Sequence, residues 1–369
     1  MSTNTTNTTD TSSATATCIN VTPGPNGYVP EWACNAQWNY SPSFPAAVLF
    51  TVLFGLTLGA HIYQAILYKK VRLCWVVIMG AAWEFVSFAL RSAAAQNQQS
   101  AAFAFVSQLL VLLAPLWLNA FDYMVLGRMI HFFVPEQKIW GIRARKLAVW
   151  FVCADMLSFL TQLGGGSLIQ NNNGSSVIMT GIHIYMGGIG LQEFFILIFT
   201  AFAFRFRTQM LRIERSGQIG QYGEGQFLPV GLENPSRKPR WNFLLYALLG
   251  TLALITTRII YRLCEFSAGT DPNKNPLPFH EWYFYVFDAT PMFFALVLMN
   301  LVHPGRILVG PESEFPKGKS RKEKREAKKE KREAKKAKKE EAKAEKAKKR
   351  VASENTRAGG TLEDGEFIV

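Results

Sequence analysis

The chain alternates between long apolar blocks and short polar connections. Each block holds roughly 18–25 residues with few charges, which is the length an α-helix needs to cross about 30 Å of hydrocarbon. A soluble chain would instead show helical or strand periodicity throughout its domains. The pattern therefore predicts an all-α, polytopic membrane protein with seven transmembrane helices, at about residues 45–67, 73–90, 103–127, 147–163, 178–204, 241–263 and 281–302.

The connections between these blocks predict the orientation of the protein. Residues 1–43 contain no Lys or Arg and are rich in Ser, Thr and Asn, which is typical of a disordered tail. They lack the features of a secretory signal peptide, so the first span is expected to insert itself with the tail outside. Basic residues then concentrate in the connections that face the cytoplasm. We predict an outer tail (1–43), a seven-helix domain (44–306) and a cytoplasmic tail (307–369).

The predicted outer segments carry sites for covalent modification. Cys18 and Cys34 both lie on the outer tail, where an oxidising compartment would permit a disulfide between them. Triplets that accept N-linked glycans, and which also arise by chance in such tails, occur at Asn4, Asn7, Asn20 and Asn173.

The formal net charge of +13 belongs to one segment of the chain. Residues 317–350 hold 19 of the 40 Lys and Arg residues and 7 of the 27 Asp and Glu residues, so the rest is nearly neutral. No nucleic-acid-binding motif accompanies this segment, and we predict no nucleic-acid partner. Two interpretations stay open: a solvated charged tail, or attraction to anionic inner-leaflet lipid worth about 1 kcal/mol per basic residue.

Catalytic and cofactor-binding motifs are missing from the sequence. The phosphate-loop pattern GxxxxGK[ST] does not occur, nor do GxSxG, HExxH or a CxxC pair. The five histidines fall on different predicted faces of the membrane, so they are not expected to meet at one zinc ion. The sequence therefore predicts a protein that is not an enzyme and that holds no cofactor or metal.

The predicted spans nevertheless contain many polar side chains. A charged residue at the centre of a membrane helix costs about 2.5–3.5 kcal/mol on insertion scales, so it must pair, face the bundle interior or line a wet cavity. One interpretation is that these groups only fix helix packing. The other is a continuous polar groove, because they occur at every depth. The candidate groove residues are Glu84, Arg91, Asn119, Asp122, Arg128, Asp155, Gln162, Gln192, Glu193, Arg258, Arg262, Glu265 and Asp288.

Several motifs together resemble one known family. They include EFVSFALR, APLWLNAFDYMVLGRMI, DMLSFLTQLGGGSL, GIHIYMGGIGLQE, RIIYRLCEFSAG and EWYFYVFDATPMFFALVLMNLVHPG. Over roughly residues 40–306 the chain resembles the RTA-like family of fungal seven-span proteins, also called the lipid-translocating exporter family. The resemblance implies export of sphingoid long-chain bases or resistance to toxic amphiphiles. Asp122 departs from the family pattern, which usually has an apolar residue before the tyrosine of the third span.

We therefore expect a multi-pass protein of the plasma membrane, with internal membranes as the alternative location, that moves lipids or toxic amphiphiles between leaflets. Its partners would be membrane lipids or amphiphilic small molecules. Buried acids such as Glu84, Asp155 and Asp288 would meet an ammonium head group or exchange a proton, and movement would be downhill or coupled to an ion. The alternatives are a seven-helix lipid or stress sensor or receptor, and a non-transporting regulator of lipid asymmetry.

Overall fold

The structure, a computed structural model, describes residues 19–30, 33–169, 174–216, 241–267 and 275–309, Ser313, Phe315 and some positions between 329 and 346. The chain divides into two compact units, Met1–Phe315 and Pro316–Val369, and the described residues of the second are helical and exposed. Asn20 is exposed, and Cys34 is disulfide-bonded. The predictions at Asn4, Asn7, Asn173 and Cys18 lie outside the described residues.

The predicted all-α architecture is confirmed. Within the described residues, seven helices are long and apolar enough to cross a membrane. Several extend beyond the predicted spans by two or more turns, because polar helix ends continue past the apolar blocks. The first six are α1 (Phe44–Leu67), α2 (Val71–Gln96), α3 (Ala101–Phe133), α4 (Ala144–Leu168), α5 (Ser175–Arg215) and α6 (Trp241–Ser267).

The seventh helix, α7, contains a wide turn. It begins as Glu281–Phe284, passes through the π-helical turn Tyr285–Ala289 and continues as Thr290–Leu301. Pro291 explains the position of this turn, because proline has no amide hydrogen and its ring crowds the carbonyl four residues earlier. Such wide turns are rare and occur often at functional sites. Here the turn contains Asp288.

The helices form a ring in chain order. Each packs against the next, and α7 closes the ring by packing on both α1 and α6. Helix α3 also contacts α5 and α6, which places it across the interior. We call the end at which the chain enters α1 the N-terminal end of the bundle, and the end at which it leaves α7 the C-terminal end.

Polarity in this bundle is reversed relative to a soluble protein. Large apolar side chains such as Leu56 and Phe105 are about two-thirds exposed on the outer surface. Charged side chains, including Glu84, Arg91 and Asp288, are each 1% exposed inside it. An apolar exterior, with the charged side chains turned into the bundle, is what a surrounding bilayer requires, since lipid cannot solvate a charge.

Small residues bring α4 and α5 together. A Cβ atom on Gly165 would collide with backbone atoms of Gly181 and Tyr185, and one on Gly188 would collide with Gln162 and Ser158. Close approach of this kind is typical of membrane helices, whose association depends on packing rather than on the hydrophobic effect. It brings Gln162 within reach of α5.

Candidate functional site

The arginine–carboxylate cluster (Arg258, Arg262, Glu265 and Asp288) joins α6 to the wide turn of α7. The Nε atoms of Arg258 and Arg262 lie 2.8 Å and 2.5 Å from the two carboxylate oxygens of Asp288. The two arginines are four residues apart, so they stack on one face of α6 and reach the same carboxylate. Arg262 also pairs with Glu265 through Nη1, at 2.8 Å. Two cations are thus matched by two acids.

A proline in α3 prepares a further contact for this cluster. Pro115 lies inside α3 and cannot donate a hydrogen bond to the carbonyl of Val111, four residues earlier. Arg258 Nη2 donates to that carbonyl oxygen at 2.9 Å. The arginine therefore satisfies a backbone acceptor that the proline left free, and it ties α6 to α3 in the interior.

Glu84 reaches the same region from α2. Its side chain is buried and interacts electrostatically with Arg258, Arg262 and Asp288. Its Oε1 atom has no hydrogen-bond partner among the described residues. Ser87, one turn further along α2, donates instead to the carbonyl of Ser107 at 2.7 Å. Glu84 therefore adjoins the arginine–carboxylate cluster, whereas Ser87 on the same helix binds α3 instead.

A small cavity adjoins the cluster between α3, α4, α5 and α6. Its volume of about 30 Å³ has room for one or two water molecules but not for a lipid head group. On the wall of the cavity formed by α4 and α5, Gln162 Nε2 donates a hydrogen bond to Gln192 Oε1 at 2.9 Å. Arg262 also lines it, and its Nη2 atom has no hydrogen-bond partner within the described part of the chain.

Arg91 lies nearer the N-terminal end, in a site we call the Arg91 cage. Its Nη2 atom donates to the Tyr40 hydroxyl at 2.6 Å and pairs with Glu281 Oε1 at 3.1 Å. Glu281 Oε2 also accepts from the backbone amide of Ser43 at 2.6 Å. Burial raises the pKa of Tyr40 in spite of the opposing effect of Arg91, so its phenol stays neutral. The cage joins the segment before α1 to α2 and α7.

Aromatic rings complete the Arg91 cage. The guanidinium carbon lies 4.2 Å from the ring centre of Phe284 and 5.0 Å from that of Trp38. The rings of Tyr40 and Tyr285 are within 6 Å. Cation–π attraction of this kind contributes about 0.5–2 kcal/mol, most where water is excluded.

The Tyr123 cluster (Asn119, Asp122, Tyr123, Asp155 and Glu193) lies in the middle of the bundle. Asp155 Oδ2 accepts from the Tyr123 hydroxyl at 2.8 Å and from Asn119 Nδ2 at 3.1 Å. Asn119 and Tyr123 are four residues apart and so share a face of α3. Asp155 is eleven residues from the start of α4, which places it about 16 Å along that helix.

The other acids of the Tyr123 cluster contact α6. Thr251 Oγ1 donates to Asp122 Oδ2 at 2.7 Å, and Thr256 Oγ1 donates to Glu193 Oε1 at 3.0 Å. Asp122 is fully buried, whereas Glu193 is half-buried. The charge of each acid is therefore met by a neutral hydroxyl rather than by a cation.

The predicted site residues fall into separate groups of contacting side chains in this structure. Glu84, Gln162 and Gln192 adjoin the arginine–carboxylate cluster. Arg128 is buried towards the C-terminal end of the bundle, within electrostatic range of the Cys74 thiol. These side chains are packed against one another in this structure. The continuous groove stays a prediction.

Several residues of the site were not predicted as members of it. Tyr123 carried a signal, since it stands one turn after Asn119 on the same helix face. Thr251 and Thr256 carried none, because threonine in a membrane helix commonly bonds its own backbone, as Thr251 also does with Leu248. The aromatic residues of the Arg91 cage come from two segments far apart in the sequence, Trp38 and Tyr40 before α1 and Phe284 and Tyr285 in α7, so spacing cannot bring them together.

Comparisons with known proteins agree with the membrane architecture. Residues 77–310 match the family model described as RTA1 like protein. The chain is 46% identical over 327 residues to a protein of Emericella nidulans named probable lipid transporter atnI, covering 88% of this chain and 81% of that protein.

Two Saccharomyces cerevisiae proteins are also similar. The protein named sphingoid long-chain base transporter RSB1 is 26% identical over 317 residues, which cover 78% of each chain. Protein RTM1 is 30% identical over 222 residues, which cover 60% of this chain and 64% of that protein. No solved structure matches the chain.

Proposed function

The chain belongs to the RTA1 like protein family, and from that premise we propose that it is a multi-pass membrane transporter that moves lipids or other amphiphiles between the two leaflets. One relative carries the name of a lipid transporter and another that of a sphingoid long-chain base transporter. We therefore take sphingoid long-chain bases as the first substrate class to test. The plasma membrane is the proposed location, with the N-terminal end of the bundle outside.

The observation that carries this proposal is the distribution of polar groups inside an apolar bundle. Buried polar side chains occur near the N-terminal end at Arg91, then at Arg262 and Asp288, and then in the middle at Asp155 and Asp122. A head group that followed these side chains would exchange one set of polar partners for another. Its hydrocarbon tails would stay in lipid outside the ring, so the head group alone would cross the interior.

The segments outside the bundle have proposed roles in this account. The glycosylated tail 1–43 would lie outside the cell and the tail 307–369 in the cytoplasm. The basic segment 317–350 would then face the anionic inner leaflet, to which it is electrostatically complementary. The movement itself takes place in the domain 44–306.

A flux assay on the purified full-length protein in liposomes tests the proposal. A fluorescent sphingoid base and a fluorescent phospholipid are followed across the bilayer, with empty liposomes as the reference. We expect the protein to accelerate movement of the amine. Glu84→Gln should slow it about tenfold, the equivalent of 1.4 kcal/mol in the barrier, because Glu84 interacts with both arginines in the interior.

The matched control is Glu136→Gln, which makes the same chemical change at an exposed position between α3 and α4. It should transport like the unmodified protein. Folding of each variant is checked by thermal unfolding before reconstitution. A folded protein that binds the amine but gives the flux of empty liposomes would contradict transport and favour a sensor.

A further inference from the structure

The three acids of the Tyr123 cluster share one bonding pattern. One carboxyl oxygen of each accepts a hydrogen bond from a neutral group. The other oxygen has no hydrogen-bond or ion-pair partner among the described residues, namely Asp122 Oδ1, Asp155 Oδ1 and Glu193 Oε2. An ionised carboxylate would need donors on both oxygens once it is removed from water. A carboxylic acid needs an acceptor on one side and a donor on the other.

No cation compensates these acids within the described residues. The groups that act on Asp122 and Asp155 are the hydroxyls of Thr251 and Tyr123 and the amide of Asn119. Glu193 faces the hydroxyl of Thr256. The charged groups that face the central phenol of Tyr123 are these same three acids, Asp122 from α3, Asp155 from α4 and Glu193 from α5. Helix α6 presents only threonine hydroxyls to them.

Asn119 supplies an independent indication of a missing hydrogen. It is fully buried and donates from Nδ2 to Asp155 Oδ2 at 3.1 Å. Its own Oδ1 atom accepts nothing from the described residues, and neither does Asp155 Oδ1. A hydrogen on Asp155 Oδ1 would act as the donor that Asn119 Oδ1 lacks. The amide and the acid would then pair at two points, with both orphaned oxygens satisfied.

We propose that Asp155, paired with Asn119 in the Tyr123 cluster, carries an exchangeable proton that is traded for the cationic head group of the transported amphiphile. The inference rests on the proposed function and adds its energy source. The O–H bond of Asp155 breaks when the bundle opens, and the proton passes to a water molecule admitted from one side. The ammonium group of the substrate then neutralises the carboxylate.

The return step restores the starting charge. The ammonium group leaves towards the opposite side, and Asp155 takes a proton from hydronium on that side. The carboxylate lacks both the proton and the ammonium group only while water reaches it, and it is neutralised again before the interior closes. Tyr123 is a positioning residue, since its hydroxyl fixes the Oδ2 side of Asp155 and leaves Oδ1 for the proton.

The experiment separates the coupling of amphiphile movement to a proton gradient from the movement itself. Full-length protein in liposomes is assayed with a fluorescent sphingoid base, first at equal pH on both sides and then with a gradient of one pH unit. Empty liposomes under the same gradient give the passive component, which is subtracted. For the unmodified protein we expect flux at equal pH, and a transmembrane ratio of amine shifted by up to about tenfold under the gradient, since one pH unit is a tenfold proton ratio.

Asp155→Asn tests the assignment, because asparagine keeps the shape and the hydrogen bonds but cannot release a proton. It should slow flux at equal pH, because an amide cannot neutralise the ammonium group, and the flux that remains should not respond to the gradient. Asp155→Glu retains a titratable carboxyl and should recover part of that response. Such a recovery would show that the loss in Asp155→Asn does not come from misfolding. Glu136→Gln should behave like the unmodified protein in both assays.

Each other outcome overturns something specific. A full gradient response in folded Asp155→Asn would show that the exchanged proton is not carried by this residue. Slower flux in that variant with the gradient response retained would make Asp155 a head-group site without a coupling role. Flux at equal pH with no gradient response in the unmodified protein would contradict coupling but keep the proposed function. Absence of flux in both assays would contradict the proposed function itself.

Discussion

The arginine–carboxylate cluster and the Tyr123 cluster bury acids in the same bundle but treat their charge differently. Asp288 meets two arginine side chains at 2.8 Å and 2.5 Å. Asp155, with 3% of its surface exposed, meets a phenol and an amide. An acid that pairs with two arginines fixes the helices that carry them. An acid with neutral partners is free to exchange its charge.

This difference follows from which residue types share a helix face. The arginines stand four residues apart on α6 and face the wide turn that precedes Pro291. Helix α3 carries Asn119 and Tyr123 at the same spacing one level deeper. The comparison teaches that the role of a charged residue in a membrane helix depends on the groups it contacts, and cannot be read from the charge alone. It also predicts opposite responses when the two kinds of acid are neutralised.

The largest expected effect comes from Asp288→Asn. Removing this charge leaves Arg258 and Arg262 buried with one acid fewer, and breaking a buried ion pair in this way costs about 3–5 kcal/mol. Thermal unfolding of the purified protein in detergent should show a large loss of stability. A melting temperature equal to that of the unmodified protein would contradict the structural role of the cluster.

A smaller loss is expected from Arg91→Gln. The substitution removes the ion pair with Glu281 and the attraction to the four surrounding rings, together about 2 kcal/mol. Arg145→Gln changes an exposed arginine and serves as the control in the same unfolding assay. If both variants unfold alike, the Arg91 cage contributes nothing to the connection between the segment before α1, α2 and α7.

Tyr123→Phe should have a modest effect on stability and a distinct one on coupling. It removes one hydrogen bond to Asp155, worth about 1 kcal/mol, and keeps the ring. Because Oδ2 of Asp155 loses its positioning donor, the response of transport to a pH gradient should weaken while flux at equal pH persists. An unchanged gradient response would show that Tyr123 only packs.

The smallest expected effect on stability is that of Asp155→Asn. An amide replaces an acid that already lacks a counter-cation, so the free energy of unfolding should change by less than about 1.5 kcal/mol, the scale of one hydrogen bond. The measurement is the same unfolding assay, run beside Asp288→Asn. Equal destabilisation by the two variants would remove the distinction between the clusters.

The sequence predicted the helices well and the site in part. Apolar blocks of the right length specify membrane helices, since lipid leaves few other solutions. Burial of Glu84, Asp122 and Asp155 was also predictable, because lipid cannot solvate them. Their partners were not, since the link from Pro115 through the Val111 carbonyl to Arg258 depends on which helices become neighbours.

The difference between the two clusters could not be predicted from the sequence for the same reason. Thr251 looks like an ordinary membrane-helix threonine, and Glu281 like an ordinary residue at a helix start, until α3 packs against α6 and α7 closes the ring. Residue spacing shows which side chains share one face of a helix. It does not show which face of a neighbouring helix packs against them. The sequence therefore left helix packing and a continuous groove as two interpretations, and it could not show that one group of acids pairs with arginines while the other meets neutral partners.

Infrared difference spectroscopy of the purified protein tests most directly whether the Tyr123 cluster holds a proton. Spectra are compared at neutral and alkaline pH for the unmodified protein, Asp155→Asn and Glu265→Gln, the last removing an acid that is paired with Arg262. We predict a carboxylic-acid C=O band at neutral pH that weakens in Asp155→Asn and is unchanged in Glu265→Gln. A band of equal strength in all three proteins, or none in the unmodified protein, would contradict the account.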